Sequence, residues 1–108
     1  MRHGWRGLRA VWREEWHFKY QVAFALTMFG IALFLRASSL ELILLFCALC
    51  IVLASEVINT AIEDVCNRIQ PDFDEAIGAI KDMAQAFVLL SSLPSIALFL
   101  WIVIPRIV

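Results

Sequence analysis

From Leu42 to Ala54 the chain runs through thirteen consecutive apolar residues without a charge, an amide or a hydroxyl. The run does not end in a turn, because the same helical period continues through Glu56, Asn59, Glu63 and Asn67 to Ile69. Such a segment is stable only where lipid or other helices cover it, since the bilayer offers no water to satisfy backbone groups. Two further apolar segments, 20–35 and 84–104, flank it. The hydrophobic content is 62%, against roughly 45–50% in a soluble domain. One all-α integral-membrane domain over residues 1–108 is therefore expected, with three transmembrane helices.

The polar residues that interrupt this helix are not scattered. At 100° per residue, Glu56, Asn59, Glu63 and Asn67 fall at about 0°, 300°, 340° and 20°, one stripe along one face. The two glutamates lie about 10 Å apart along the axis. An ionisable side chain at membrane depth is costly, so it implies a partner or a water-filled cleft and a function. The plainer reading of Glu56 is a hydrogen bond to a neighbouring helix.

Residues 1–19 interleave Arg2, Arg6, Arg9 and Arg13 with Trp5, Leu8, Trp12 and Trp16. This is the pattern of an amphipathic helix in the headgroup layer, with tryptophans at the interface and arginines toward anionic lipid. Glu14 and Glu15 are out of place there and call for a cation. The first span, 20–35, is shorter than the roughly 20 residues a straight crossing needs, and Lys19 and Arg36 can snorkel to complete it. Ser38 or Ser39 is expected to cap the second helix, 40–69, with Glu41 in its first turn. Pro71 breaks that helix. A short amphipathic piece, Glu75 to Asp82, leads into the third span, 84–104, which Pro94 kinks and Pro105-Arg106 ends.

Seven of the nine Lys and Arg residues lie in the N-terminal region or between the second and third spans. The positive-inside rule then puts the N-terminus and the Glu56–Asp82 end in the cytoplasm. The net charge of −1 predicts no nucleic-acid partner. Cys47, Cys50 and Cys66 lack a second pair or a histidine cluster and are read as packing residues. No cleavable signal peptide is expected, because the first apolar run starts late and no small-residue cleavage pattern follows it.

On the cytoplasmic side Glu14, Glu15, Glu63, Asp64, Asp72, Asp74, Glu75 and Asp82 accompany Lys81, with Glu56 deepest. Acids that hold a divalent metal, a lysine that neutralises phosphate and a base for a hydroxyl are what Mg²⁺-dependent phosphoryl transfer requires. No glycine-rich P-loop is present, so phosphates would be held by side chains and metal alone. Asp64, Asp72 and Glu75 are equally well read as a solvated helix face.

The run Glu56-x-x-Asn59-Thr-Ala-Ile-Glu63, then Asn67-Arg68, Pro71-Asp72-Phe73 and Ala79-x-Lys81-Asp82-Met83-Ala84, resembles the small bacterial diacylglycerol kinase and undecaprenol kinase family. The resemblance extends to Trp5-Arg-Gly-Leu-Arg-Ala-Val-Trp12 and Glu15-x-x-Phe18, so it covers nearly the whole chain. It implies a homotrimer in the bacterial inner membrane, with shared sites at the cytoplasmic interface, that uses ATP and Mg²⁺ to phosphorylate a membrane lipid alcohol. By the same resemblance Glu56 is the general base, Glu15 and Glu63 ligate the metal, and Asn59 orders base and metal. Lys81, Asp82 and the turn Asp72-Phe73-Asp74 would meet the nucleotide, and Arg9, Trp12, Phe18 and Gln85 would border the lipid together with Glu56.

Asn67 stands where the family usually has Asp, and Asp74 where His is common, which bears on nucleotide affinity and metal preference. Gln21 replaces an acid of the Gram-negative diacylglycerol kinases. The Trp5–Trp12 run resembles the diacylglycerol kinase branch, whereas Phe18-Lys19 and Pro71 resemble the undecaprenol branch. Diacylglycerol is the expected substrate, with undecaprenol as the alternative. A small proton- or cation-coupled transporter is the alternative from another class, and it would need neither the Lys81-Asp82 pair nor the acid cluster.

Overall fold

The computed structural model describes residues 2–69, 72 and 74–108, and its four helices are α1 (Arg2–Glu14), α2 (Trp16–Phe34), α3 (Ser39–Ile69) and α4 (Glu75–Ile107). The helices α2, α3 and α4 are each long and apolar enough to cross a membrane. Their outward faces are apolar too: Phe24, Leu26, Phe34, Leu89 and Leu90 all stand exposed. Residues of this kind, on every side of a small bundle, need lipid or protein around them. The expected all-α membrane fold is the one found.

Several boundaries differ from those expected. The surface helix was expected to reach residue 19, but the chain turns at Glu15, whose backbone is extended (φ −115°, ψ 109°), and Trp16 opens α2. The corner is held by tertiary packing. Val11 and Phe18 are buried on either side of it, and the Trp12 ring meets Phe18 edge-on at 6.4 Å. The Lys19 amine lies 5.7 Å from the Trp12 ring and 5.4 Å from that of Trp16, within cation–π range of both. With its earlier start α2 has 19 residues, about 28 Å of helix, so the first span is long enough to cross.

At its far end α2 closes with a Schellman motif. Arg36 takes a left-handed φ of 63°, its N–H donates to Leu33 O and that of Ala37 donates to Ala32 O, both at 3.0 Å. Glycine is the usual residue at this position. The next helix begins at once with a capping box, as Ser38-x-x-Glu41 spells out. The Glu41 N–H donates to Ser38 Oγ (3.2 Å) and the Ser38 N–H donates to Glu41 Oε1 (2.7 Å). The same carboxylate receives both Arg106 guanidinium nitrogens, Nη2 at 2.7 Å on Oε1 and Nη1 at 3.2 Å on Oε2. This ties the start of α3 to the end of α4. Beside the clasp sits the main hydrophobic cluster, in which Ala32, Leu45 and Ile102 are fully enclosed, with Met28 and Leu49 next to them.

The amphipathic piece and the third span are one helix, α4, which also runs past its expected end at Pro105 to Ile107. The proline's missing N–H frees one carbonyl, that of Trp101, while the last turn still closes, with the Val108 N–H donating to Ile104 O at 3.1 Å and Arg106 Nη1 donating to Ile102 O at 2.8 Å. Around Pro94 the hydroxyls of Ser92 and Ser95 donate to the carbonyls of Leu89 and Ser92. Asp74 caps α4 by accepting from the N–H groups of Ala76 and Ile77 at 2.9 and 3.1 Å. The break expected at Pro71 lies outside the described residues. Cys66 is buried as a packing residue should be, whereas Cys47 and Cys50 face outward.

Candidate active site

At the end opposite the clasp the helices part around a cleft of about 410 Å³. Glu15 enters it from the corner between α1 and α2, and His17 and Gln21 from the first turns of α2. Glu56, Asn59, Thr60 and Glu63 line it from α3, and Gln85 and Val88 from α4. Three of the four residues in the stripe read from the helical period, Glu56, Asn59 and Glu63, therefore face a cavity.

Within the cleft Glu56 is deepest, only 9% exposed. Asn59 Nδ2 donates to Glu63 Oε1 at 3.1 Å, which fixes one glutamate by the i, i+4 spacing. The other end of the same amide, Asn59 Oδ1, is buried and has no partner among the described residues. A buried acceptor without a donor costs of order 1–3 kcal/mol, so this oxygen marks a position where a donor or a cation belongs. Thr60, one turn from Glu56, is buried beside it.

Beyond the mouth of the cleft Lys81 Nζ donates to Asn67 Oδ1 at 2.6 Å, joining the outer end of α3 to α4. Asp72 and Asp82 are exposed, and Asp74 commits Oδ1 to capping α4. Phe73 lies outside the described residues. Of the four residues expected to border the lipid, Gln85 lines the cleft, Phe18 is buried under the Trp12 ring, and Arg9 and Trp12 are exposed on α1. Periodicity along α3 did not point to His17, although its spacing of four from Gln21 puts both on one face of α2.

Among the described residues no group of three or more His, Cys, Asp and Glu is arranged to hold a metal ion by itself. Mg²⁺ does not need such a cage, because it keeps several waters and takes one or two carboxylates together with substrate phosphates. Glu15, Glu63 and the unpartnered Asn59 oxygen fit that requirement.

The family model for prokaryotic diacylglycerol kinase matches residues 2–104. This chain belongs to that family. It is similar to the diacylglycerol kinase of Escherichia coli (strain K12), 32% identical over 102 residues that make up 94% of this chain and 82% of the relative. The diacylglycerol kinase of Shigella flexneri matches to the same extent. That of Haemophilus influenzae is 29% identical over 86 residues, 80% of this chain and 73% of the relative. This kinase is thus a membrane-embedded lipid kinase, and it uses ATP as kinases do. The transporter alternative falls with that assignment.

Proposed function

We propose that this kinase transfers the γ-phosphoryl group of ATP to the free hydroxyl of diacylglycerol, giving phosphatidic acid and ADP. The observation that carries the proposal is Glu56: a carboxylate sunk to membrane depth, lining a polar cleft, with two further carboxylates on the same walls. A base set among apolar helices suits a hydroxyl that arrives from the lipid.

In this reading the lipid hydroxyl gives its proton to Glu56 as its oxygen forms a bond to the γ-phosphorus, and the bond from that phosphorus to the β–γ bridging oxygen breaks. Glu15 and Glu63 would hold Mg²⁺, which would neutralise charge on the phosphates. Asn59 braces Glu63 through Nδ2, and its unpartnered Oδ1 would offer the metal a further oxygen donor. Lys81 meets the phosphates, and Asp72, Phe73, Asp74 and Asp82 border the nucleotide. Arg9, Trp12, Phe18 and Gln85 flank the lipid, with the apolar body of the substrate left in the bilayer. The active form is a homotrimer in the bacterial inner membrane, and its sites open to the cytoplasm. The exposed apolar faces of all three spans leave room for such neighbours.

Radiolabelled phosphate transfer to a panel of membrane alcohols tests the proposal. Diacylglycerol is expected to be the preferred acceptor, and preference for undecaprenol would keep the chemistry and move the substrate. Near wild-type turnover in Glu56→Gln would remove the assigned base.

A further inference from the structure

Lys81 is a long side chain with four rotatable bonds, and ordering such a chain to meet a ligand costs rotamer entropy at the moment of binding. Here the ordering is already done. Its ammonium is held at 2.6 Å by the side-chain oxygen of Asn67, which lies fourteen residues back on another helix. Asn67 ends the stripe that begins with Glu56, and it lies one helical turn beyond Glu63, the last residue of α3 to line the cleft, so the bond sets the lysine just outside the cleft mouth. One N–H of the ammonium is used and two remain for a ligand.

The chemistry of the acceptor matters as much as its place. An amide oxygen holds the ammonium without cancelling its charge, whereas a carboxylate at that point would form an ion pair. The one ion pair among the described residues, Glu41 with Arg106, lies at the other end of the molecule. Lys81 thus presents an aimed and undiminished positive charge, which is what a polyphosphate requires.

We infer that Asn67 is a positioning residue for nucleotide binding, holding the Lys81 ammonium just outside the cleft mouth by a neutral acceptor so that its charge stays available to phosphate. The inference rests on the reading above, in which Lys81 meets the phosphates of ATP. It concerns binding of the nucleotide and leaves proton transfer to Glu56. A bond made only to strap α3 to α4 would affect both substrates alike.

Three variants of the full chain in mixed micelles test it, with ATP and the accepted lipid alcohol varied separately and the unfolding temperature recorded. Asn67→Ala is expected to raise KM for ATP about fivefold, the scale of one typical solvent-accessible hydrogen bond. The lipid KM and the unfolding temperature stay where they were. Asn67→Asp keeps the acceptor and adds a charge, so KM for ATP rises about threefold at low salt, and the increase shrinks as salt screens the exposed pair. Lys81→Met raises KM for ATP by more than either. An unchanged KM for ATP in both Asn67 variants, alongside a raised value in Lys81→Met, overturns the inference and leaves the role of Lys81 intact. An unchanged value in Lys81→Met removes the reading beneath it. A fall in unfolding temperature and kcat with no shift in KM for ATP identifies a helix strap and also overturns the inference.

Discussion

The two ends of the helical bundle are built on opposite principles. At the clasp end each polar group described is matched: Ser38 and Glu41 cap α3 reciprocally, Arg106 fills the rest of the Glu41 carboxylate, and Ala32, Leu45 and Ile102 are sealed beside them. At the cleft end Glu56 is buried in a cavity, Asn59 has an oxygen with no donor among the described residues, and Lys81 is held by a neutral group. Satisfied networks rigidify, and unsatisfied ones persist where a ligand completes them. On the proposed function, the difference separates the part of the molecule that carries stability from the part that carries chemistry.

The sharpest way to break this division is Glu56→Gln. Turnover is expected to fall about 10²- to 10⁴-fold, the usual worth of a general base, while ATP binding and the unfolding temperature hold. A matching loss of folded protein would show that the cleft end also bears stability. The mirror experiment is Arg106→Ala, which leaves Glu41 without its cation. It should lower the unfolding temperature by more than any other change at that end, with phosphate transfer per folded molecule unaltered. Ser38→Ala sharpens the same contrast at about 1 kcal/mol through the lost cap, read as a lower unfolding temperature at constant activity. Smallest is Arg36→Gly, which relieves the left-handed residue and should stabilise by up to about 1 kcal/mol, in the same unfolding assay.

How legible each end was in the sequence follows from how local its interactions are. The acidic stripe obeys the helical period of α3, and Ser38-x-x-Glu41 is a motif four residues long, so both could be read directly. The Glu41–Arg106 clasp joins residues 65 positions apart, and nothing short of the packed fold brings them together. The corner at Glu15 has no glycine or proline to announce it. It follows from burying Val11 and Phe18 on two different helices, a tertiary cause acting on a sequence that reads as one continuous helix. Pro105 misled in the other direction, because its missing N–H frees a single carbonyl, that of Trp101, and the turn after it still closes through the Val108 N–H on Ile104 O. His17 escaped because periodicity was followed along α3, and its place in the cleft depends on how α2 is turned against it.

From Glu56 to Asn67 the axis of α3 advances about 16 Å, at 1.5 Å per residue. On the proposed function, that distance carries the base and its polar neighbours from the apolar stretch of the helix toward its water-facing end. ATP and a long-chain alcohol share no common solvent, and one acidic ridge that crosses the phase boundary lets each stay in its own medium while their reactive ends meet.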